Sequence, residues 1–277
     1  MTEKKILVIG KGFVGDAVGS ALVKSHTILY HDPAKGENYN IRQLGDLDGI
    51  ILCLPTPMDE EGFCDDSLVN DYYWKIREIS NTVHVLIKST TSVATLQNLQ
   101  CELDEYLTFS PEFLVAANAR SDMVNAPFFI YSGVSGKGAI FWGEVFKPCV
   151  KNWENAYYTD SMVEAGFVKY AINSFLATKV TFMNELYDLY STITMGHGNF
   201  DNIAALMSLD KRIGASHMQV PGPDGKFGWG GACFPKDTSE FVKLGEFNMQ
   251  PLTLLETAIK SNIIHRMKDA ENSTNGK

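Results

Sequence analysis

The sequence contains no apolar run approaching the length of a membrane helix and no basic run longer than two residues. Lys and Arg number 24 against 33 Asp and Glu, a formal net charge of −9. An acidic chain of this kind is a poor nucleic-acid ligand, because affinity there comes largely from neutralising phosphates. It remains compatible with a nucleotide, which needs only a local anion site. Cysteine is sparse: Cys53, Cys64, Cys101, Cys149 and Cys233 are odd in number, irregularly spaced and without a C-x-x-C pair. That argues against a zinc site or a disulfide framework and fits a reducing, cytoplasmic setting. No internal repeat or low-complexity stretch is present. Met1–Lys5 is polar and leads directly into a strand pattern, so no secretory signal and no membrane partner are expected.

What is present is a globular composition: 45% hydrophobic and 21% charged residues, over a length that accommodates two domains. The first part alternates short apolar runs with amphipathic ones. Lys5–Ile9, Thr27–Tyr30, Gly49–Leu54 and His84–Ile87 read as strands, Val14–Val23 as a helix, and Phe128–Ser132 and Ala156–Tyr158 as later strands. Alternation of this kind predicts an α/β fold with a doubly wound, mainly parallel sheet. After about Asp160 the period changes to that of helices. Val163–Tyr190 reads as one long helix, with Asn199–Met207, Thr238–Leu244 and Leu252–Met267 following, and a polar tail from Asp269 expected to fray. The expected division is therefore 1–160, a Rossmann-like domain, and 161–277, a mostly helical domain.

Gly10-Lys11-Gly12-Phe13-Val14-Gly15 fits G-x-G-x-x-G between a strand and a helix, where glycines allow a pyrophosphate close to the backbone and the helix N-terminus. Asp32 ends the next strand, placed to accept hydrogen bonds from ribose hydroxyls, which favours NAD over NADP. The bland alternative is a tight turn followed by an ordinary Asp-Pro turn. Cys233 stands just ahead of a helix expected to begin at Pro235, with Lys236 nearby; a helix dipole and a cation both favour thiolate. A free cysteine is equally compatible with an inert buried thiol, and Asp237 with a first-turn acid that complements the dipole. Lys169 and Asn173 lie four apart on the long helix and share a face. Spacing alone makes them a solvated polar stripe. Lys88-Ser89-Thr90 and Ser110-Pro111-Glu112-Phe113-Leu114 follow strand patterns; strand ends bind ligands in open parallel sheets, but are also simply polar.

Together these segments, with Leu54-Pro55-Thr56-Pro57, Phe182–Glu185, Asp210–Gly214 and Gly230–Asp237, resemble the UDP-glucose/GDP-mannose dehydrogenase family in collinear order, with the segments at Asp210 and Cys233 most like its UDP-glucose 6-dehydrogenases. The resemblance implies NAD as cofactor, held by Gly10, Gly12, Phe13, Val14, Gly15, Asp32, Pro55, Thr56, Thr90 and Lys236. It implies a nucleotide-sugar substrate contacted by Glu112, Phe113, Leu114, Lys169, Asn173, Arg212, Gly230 and Gly231. It also implies two hydride transfers through a thiohemiacetal and a thioester on Cys233. Lys169 would stabilise the oxyanion, Glu112 would act as acid and base, Asp237 and Thr90 would order water, and Asn173 would position the sugar. Arg212 would reach the partner subunit's substrate in a homodimer built on the helical domain. No metal is implied.

Three departures stand out. The family usually continues into a further domain that grips the nucleotide, expected here to be lacking or supplied by a second chain. The family often has an acid where Ala116 stands. The stretch from Arg212 to Cys233 is long, with Pro221-Gly222-Pro223-Asp224-Gly225-Lys226. Two other readings remain: a non-catalytic NAD-binding dimerisation or regulatory module, and a one-step β-hydroxyacid dehydrogenase, which would have no use for Cys233.

Overall fold

In the computed structural model, residues 2–274 are described; residues 275–277, the end of the expected frayed tail, lie outside them. The chain divides into two compact units. The first runs up to Asp59 and resumes over Cys64–Lys169; the second comprises Glu60–Phe63 and everything from Tyr170 onward. The change from strands to helices falls near Asp160, whereas the division by contacts falls later, inside a helix.

The first unit is built on eight strands: β1 (Lys5–Ile9), β2 (Thr27–Asp32), β3 (Glu37–Asn38), β4 (Gly49–Leu52), β5 (His84–Ile87), β6 (Leu107–Phe109), β7 (Phe129–Ser132) and β8 (Ala156–Thr159). Their order is β3-β2-β1-β4-β5-β6-β7-β8. Pairing is parallel except at β2–β3 and β6–β7. The antiparallel edge β3 and the short β6 are elements that the apolar runs alone do not reveal. Both faces of the sheet are covered, which is why its central strands read as unbroken apolar runs. Leu7, Ile9, Ile50 and Leu52 pack with α2 (Ser67–Ile79) and α3 (Val93–Cys101). Ile6, Val8 and Ile51, facing the other way, pack with α1 (Phe13–Leu22), α4 (Ala119–Asn125) and α5 (Gly136–Phe146). With the order reversing between β1 and β4, the carboxyl ends of these strands form the edge where ligands bind in open α/β sheets.

The second unit is helical. It takes α6 (Met162–Ile193) from Tyr170 onward, then α7 (Phe200–Ser208), α8 (Phe234–Phe247) and α9 (Thr253–Thr274). Its cores gather Met183, Phe200, Met218 and Val220 in one cluster and Ala177, Val180 and Trp229 in another. α8 begins four residues ahead of the helix read from periodicity, because Pro235 sits in the first turn, where a missing N–H costs nothing. α9 continues past Met267. Among the described residues no helix is long and apolar enough to cross a membrane.

His84 shows how tightly the first unit is packed. Its ring stacks on Phe141 at 3.9 Å and 1°, and its Nδ1 is buried without a hydrogen-bond partner. Burial, then the charges of Lys137, Arg77 and Lys4, push its pKa down from 6.5 to about 4. The unfolded chain therefore binds a proton that the folded one refuses. Stability is lost as pH falls from about 6.5 through 4 and is fully present above that window. In a His84→Phe variant, which keeps the stack, this acid loss should shrink, by about 1 kcal/mol once solvent screening of a half-exposed ring is allowed for, in urea unfolding at pH 4 relative to pH 7. Equal acid sensitivity in both proteins would contradict this account.

Candidate active site

The first-unit site begins at the β1–α1 turn. Gly10 has φ +89°, and a Cβ there would sit 2.4 Å from the Cys53 carbonyl oxygen; one on Gly15 would sit 1.9 Å from the Gly10 oxygen. Only glycine fits at either place, and the turn stays tight. Gly12 caps α1 and is exposed, and no side chain caps the helix, so its first N–H groups are left for an anion. Asp32 Oδ2 accepts the Lys11 N–H at 2.8 Å, fixing the carboxylate at the end of β2. Phe13 is exposed, Val14 half-buried, Pro55 exposed and Thr56 buried. These residues form a cradle that fits a dinucleotide: glycines under the pyrophosphate and an acid for the ribose.

Further along the same edge, the ends of β5 and β6 bring charge into the interior. Glu112 and Lys169 are both buried, at 6% and 3% exposure. Lys169 Nζ donates to the Glu112 carbonyl oxygen at 2.5 Å and lies 3.4 Å from its Oε1. The solvated stripe that spacing alone suggested for Lys169 and Asn173 is thus corrected: both side chains are buried and satisfied. Glu112 Oε2 also accepts the Leu114 N–H at 2.6 Å. Phe113 is half-buried, with the Lys169 ammonium 5.2 Å from its ring centre. Thr90 is half-buried, and its carbonyl oxygen accepts from Cys64 Sγ at 3.7 Å. Ala116 is exposed in a short 3-10 turn. A cavity of about 230 Å³ opens beside the Pro111–Leu114 segment, with Lys88, Met123 and Phe129 in its walls.

In the second unit, Cys233 caps α8 and its carbonyl oxygen accepts the Asp237 N–H at 2.8 Å, so the thiol stands at a helix N-terminus. Asp237, 1% exposed, accepts from Asn173 Nδ2 and Lys236 Nζ, each at 2.5 Å. Lys236 thus engages the Asp237 carboxylate, one turn into the helix that Cys233 caps. Gly231 is exposed with φ +78°. At Gly230 a Cβ would overlap the Arg266 guanidinium, so this glycine admits an arginine as much as it could admit a substrate. Arg212 is on the surface, its guanidinium paired with Asp210 at 2.6 Å.

Sequence reasoning missed the residues that hold the cysteine segment. Asn262 on α9 accepts the Trp229 N–H at 2.7 Å and donates to its carbonyl oxygen at 3.0 Å. Arg266 Nε donates to the same oxygen at 2.9 Å, Trp229 Nε1 donates to Thr181 Oγ1 at 2.9 Å, and Asn184 Oδ1 accepts the Gly228 N–H at 2.9 Å. Polar residues at Asn184 and Asn262 amid apolar helical positions were the available signal. Among the described residues no group of His, Cys, Asp and Glu could hold a metal ion.

Residues 33–149 match the NAD binding domain of the UDP-glucose/GDP-mannose dehydrogenase family, and residues 163–263 its central domain. The UDP-glucose 6-dehydrogenase of Rickettsia felis is 32% identical over 231 residues, covering 81% of this chain and 49% of that protein. The chain spans about half the length of the curated relatives it matches. A UDP-glucose dehydrogenase structure from Pyrobaculum islandicum superposes with a TM-score of 0.80 at 23% identity, covering 95% of this chain and 68% of that one. The 3-hydroxyisobutyrate dehydrogenase of Mycobacterium tuberculosis gives 0.75 at 16% identity, covering 96% of both chains. At these identities the two structures speak for the fold alone.

The Trp229 clamp makes a direct prediction. Asn262→Leu leaves a buried peptide N–H without its acceptor and should destabilise the second unit by about 1–3 kcal/mol in chemical denaturation. A change below about 0.5 kcal/mol would show that the clamp is dispensable.

Proposed function

Because this chain belongs to the UDP-glucose/GDP-mannose dehydrogenase family, we propose that it oxidises a nucleotide sugar, UDP-glucose first among candidates, from alcohol to carboxylate with two equivalents of NAD. The observation that carries the reading is Cys233 at the N-terminus of α8, one helical turn before a buried Asp237 held by Asn173 and Lys236. A one-step alcohol oxidation needs no nucleophile there. The choice of sugar is supported by the Asp210–Gly214 and Cys233–Asp237 segments and by the names of the curated relatives.

NAD, when bound, accepts a hydride from carbon. The residues that would hold it are Gly10, Gly12, Phe13, Val14, Gly15, Asp32, Pro55 and Thr56, with Thr90 and Lys236. The first oxidation removes hydride from the sugar's primary carbinol and a proton from its hydroxyl, leaving an aldehyde. The Cys233 thiolate adds to the aldehyde carbon, and the resulting alkoxide takes a proton, giving a thiohemiacetal. This is the step for which Lys169 supplies a positive charge and Glu112 a proton. The second oxidation removes hydride and a proton from the thiohemiacetal, leaving a thioester. Water, ordered by Asp237 and Thr90, adds to the thioester and expels the thiolate. The balance is one alcohol, one water and two NAD to one carboxylate, two NADH and three protons. Phe113, Leu114, Asn173, Gly230 and Gly231 are assigned to the substrate.

The partner in this reading is a second copy of the chain. Phe175, Phe182 and Leu189 recur every seven residues on α6 and are all exposed. A seven-residue apolar repeat keeps one face of a helix continuous, and its exposure supports a subunit interface on that face. Arg212 is then assigned to the neighbouring subunit's substrate.

Two tests follow. Purified chain supplied with UDP-glucose and NAD should form two NADH per sugar consumed, and Cys233→Ala should lose the second oxidation while retaining NAD binding. NAD binding without any NADH would overturn the stand-alone enzyme in favour of a regulatory or two-chain assembly. In sedimentation, the wild type should be a dimer and Phe182→Arg a monomer; an unchanged mass for the variant would move the interface elsewhere.

A further inference from the structure

Lys88 is a buried cation without an assignment in this reaction. It directly follows β5, is 2% exposed, and donates from Nζ to Ser110 Oγ at 3.1 Å and to the Pro111 carbonyl oxygen at 3.4 Å. Its ammonium also lies 5.7 Å from the Phe129 ring centre. These partners are neutral dipoles and a π-face. They solvate an ammonium but do not cancel its charge. Ser110 in turn donates to the Ile130 carbonyl oxygen at 2.8 Å, so the turn is tied to β7 as well. Lys88 therefore grips two consecutive residues immediately before Glu112, and Lys169 grips Glu112 itself.

We infer that Lys88 is a positioning residue: its ammonium fixes the Ser110-Pro111-Glu112 turn and keeps the buried Lys88, Lys169 and Glu112 cluster one positive charge in excess. The argument is one of geometry and charge balance. A turn whose Ser110 hydroxyl and Pro111 carbonyl are held by Lys88 and whose Glu112 carbonyl is held by Lys169 leaves the Glu112 carboxylate little freedom. Two ammonium groups held against the Ser110-Pro111-Glu112 turn favour an oxyanion forming beside Glu112. The groups facing Lys88 are Cys53 at the end of β4, Glu112 after β6 and Lys169 on α6. Asp122 on α4 lines the same cavity. Cys53 stays a neutral thiol, its pKa pushed up to about 12 by burial. Burial also brings Lys88 down from 10.5 to about 8, against the support of Cys53 and Glu112. The excess charge is thus present at neutral pH and is withdrawn as pH rises through about 8.

The proposed role in turnover rests on the reading of Glu112 given above, so the test has one arm that needs no turnover. In protein labelled with carboxyl-13C glutamate, the Glu112 resonance, assigned through Glu112→Gln, should show an inflection near pH 8. It should be absent in Lys88→Met. A Glu112 signal that ignores pH between 7 and 10 in the wild type overturns the coupling, whether or not the chain is an enzyme. In the second arm, the wild-type kcat should fall above about pH 8. Lys88→Arg, which keeps its charge, should hold kcat to higher pH. Lys88→Met should lower kcat at pH 7 by 10-fold or more without altering NAD affinity. Should the methionine fail to fold, Ser110→Ala removes one of the ammonium's two acceptors and should lower kcat in the same direction. Wild-type alkaline behaviour in both Lys88→Arg and Ser110→Ala overturns the positioning role. Absence of all turnover in the wild type, with the glutamate inflection intact, overturns the reaction and leaves the cluster standing.

Discussion

A buried row of polar side chains on α6 governs how both units are ordered. Lys169, Asn173, Thr181 and Asn184 recur at helical spacing and are each 6% exposed or less. Leaving one such group without a partner costs about 1–3 kcal/mol, and more for a charge. Each must therefore dictate what the chain places opposite it. Lys169 requires the Glu112 turn, Asn173 the Asp237 carboxylate, Thr181 the Trp229 indole and Asn184 the Gly228 amide. The functional loops are irregular, but their anchor points are periodic because they are read off a helix.

The buried clusters of the two units use charge differently. The Glu112 region buries two lysines beside one carboxylate, a local surplus of positive charge in an acidic protein. Around Asp237 the account is even, one carboxylate against one ammonium with a neutral amide completing the set. Net charge carries no information on either, because it averages over a surface that the buried groups do not share.

Much of the architecture was legible in the sequence. Central strands β1, β4 and β5 announce themselves as apolar runs, and the glycine turn follows from the strand before it and the helix after it. What could not be read was pairing at the margins. β3 has two residues and β6 three, too short for any period to register. Pro235 marked the start of α8 to within one residue, whereas the apolar period registered only from Thr238. Among the candidate residues, Cys233 and Glu112 were singled out by segment context. The burial of Lys169 and Asn173 was not legible, since a polar stripe on an amphipathic helix has the same spacing whether it meets water or a second polar element. Asn262 and Arg266 escaped for a related reason: they act 33 and 37 residues away from Trp229, and nothing local marks the connection.

The membership of Glu60–Phe63 in the second unit, while both flanks belong to the first, has an evolutionary side. The units are not modules joined end to end. The chain leaves the first, visits the second for four residues, returns, and crosses again at Lys169. Recombination between relatives at a single point near Lys169 would exchange helices while retaining a loop fitted to the replaced ones. Gly62, where a Cβ would press within 2.5 Å of Ser239 Oγ, makes that mismatch steric. Inheritance of the two units is thereby linked, and a successful chimera has to carry this short excursion along with the helices.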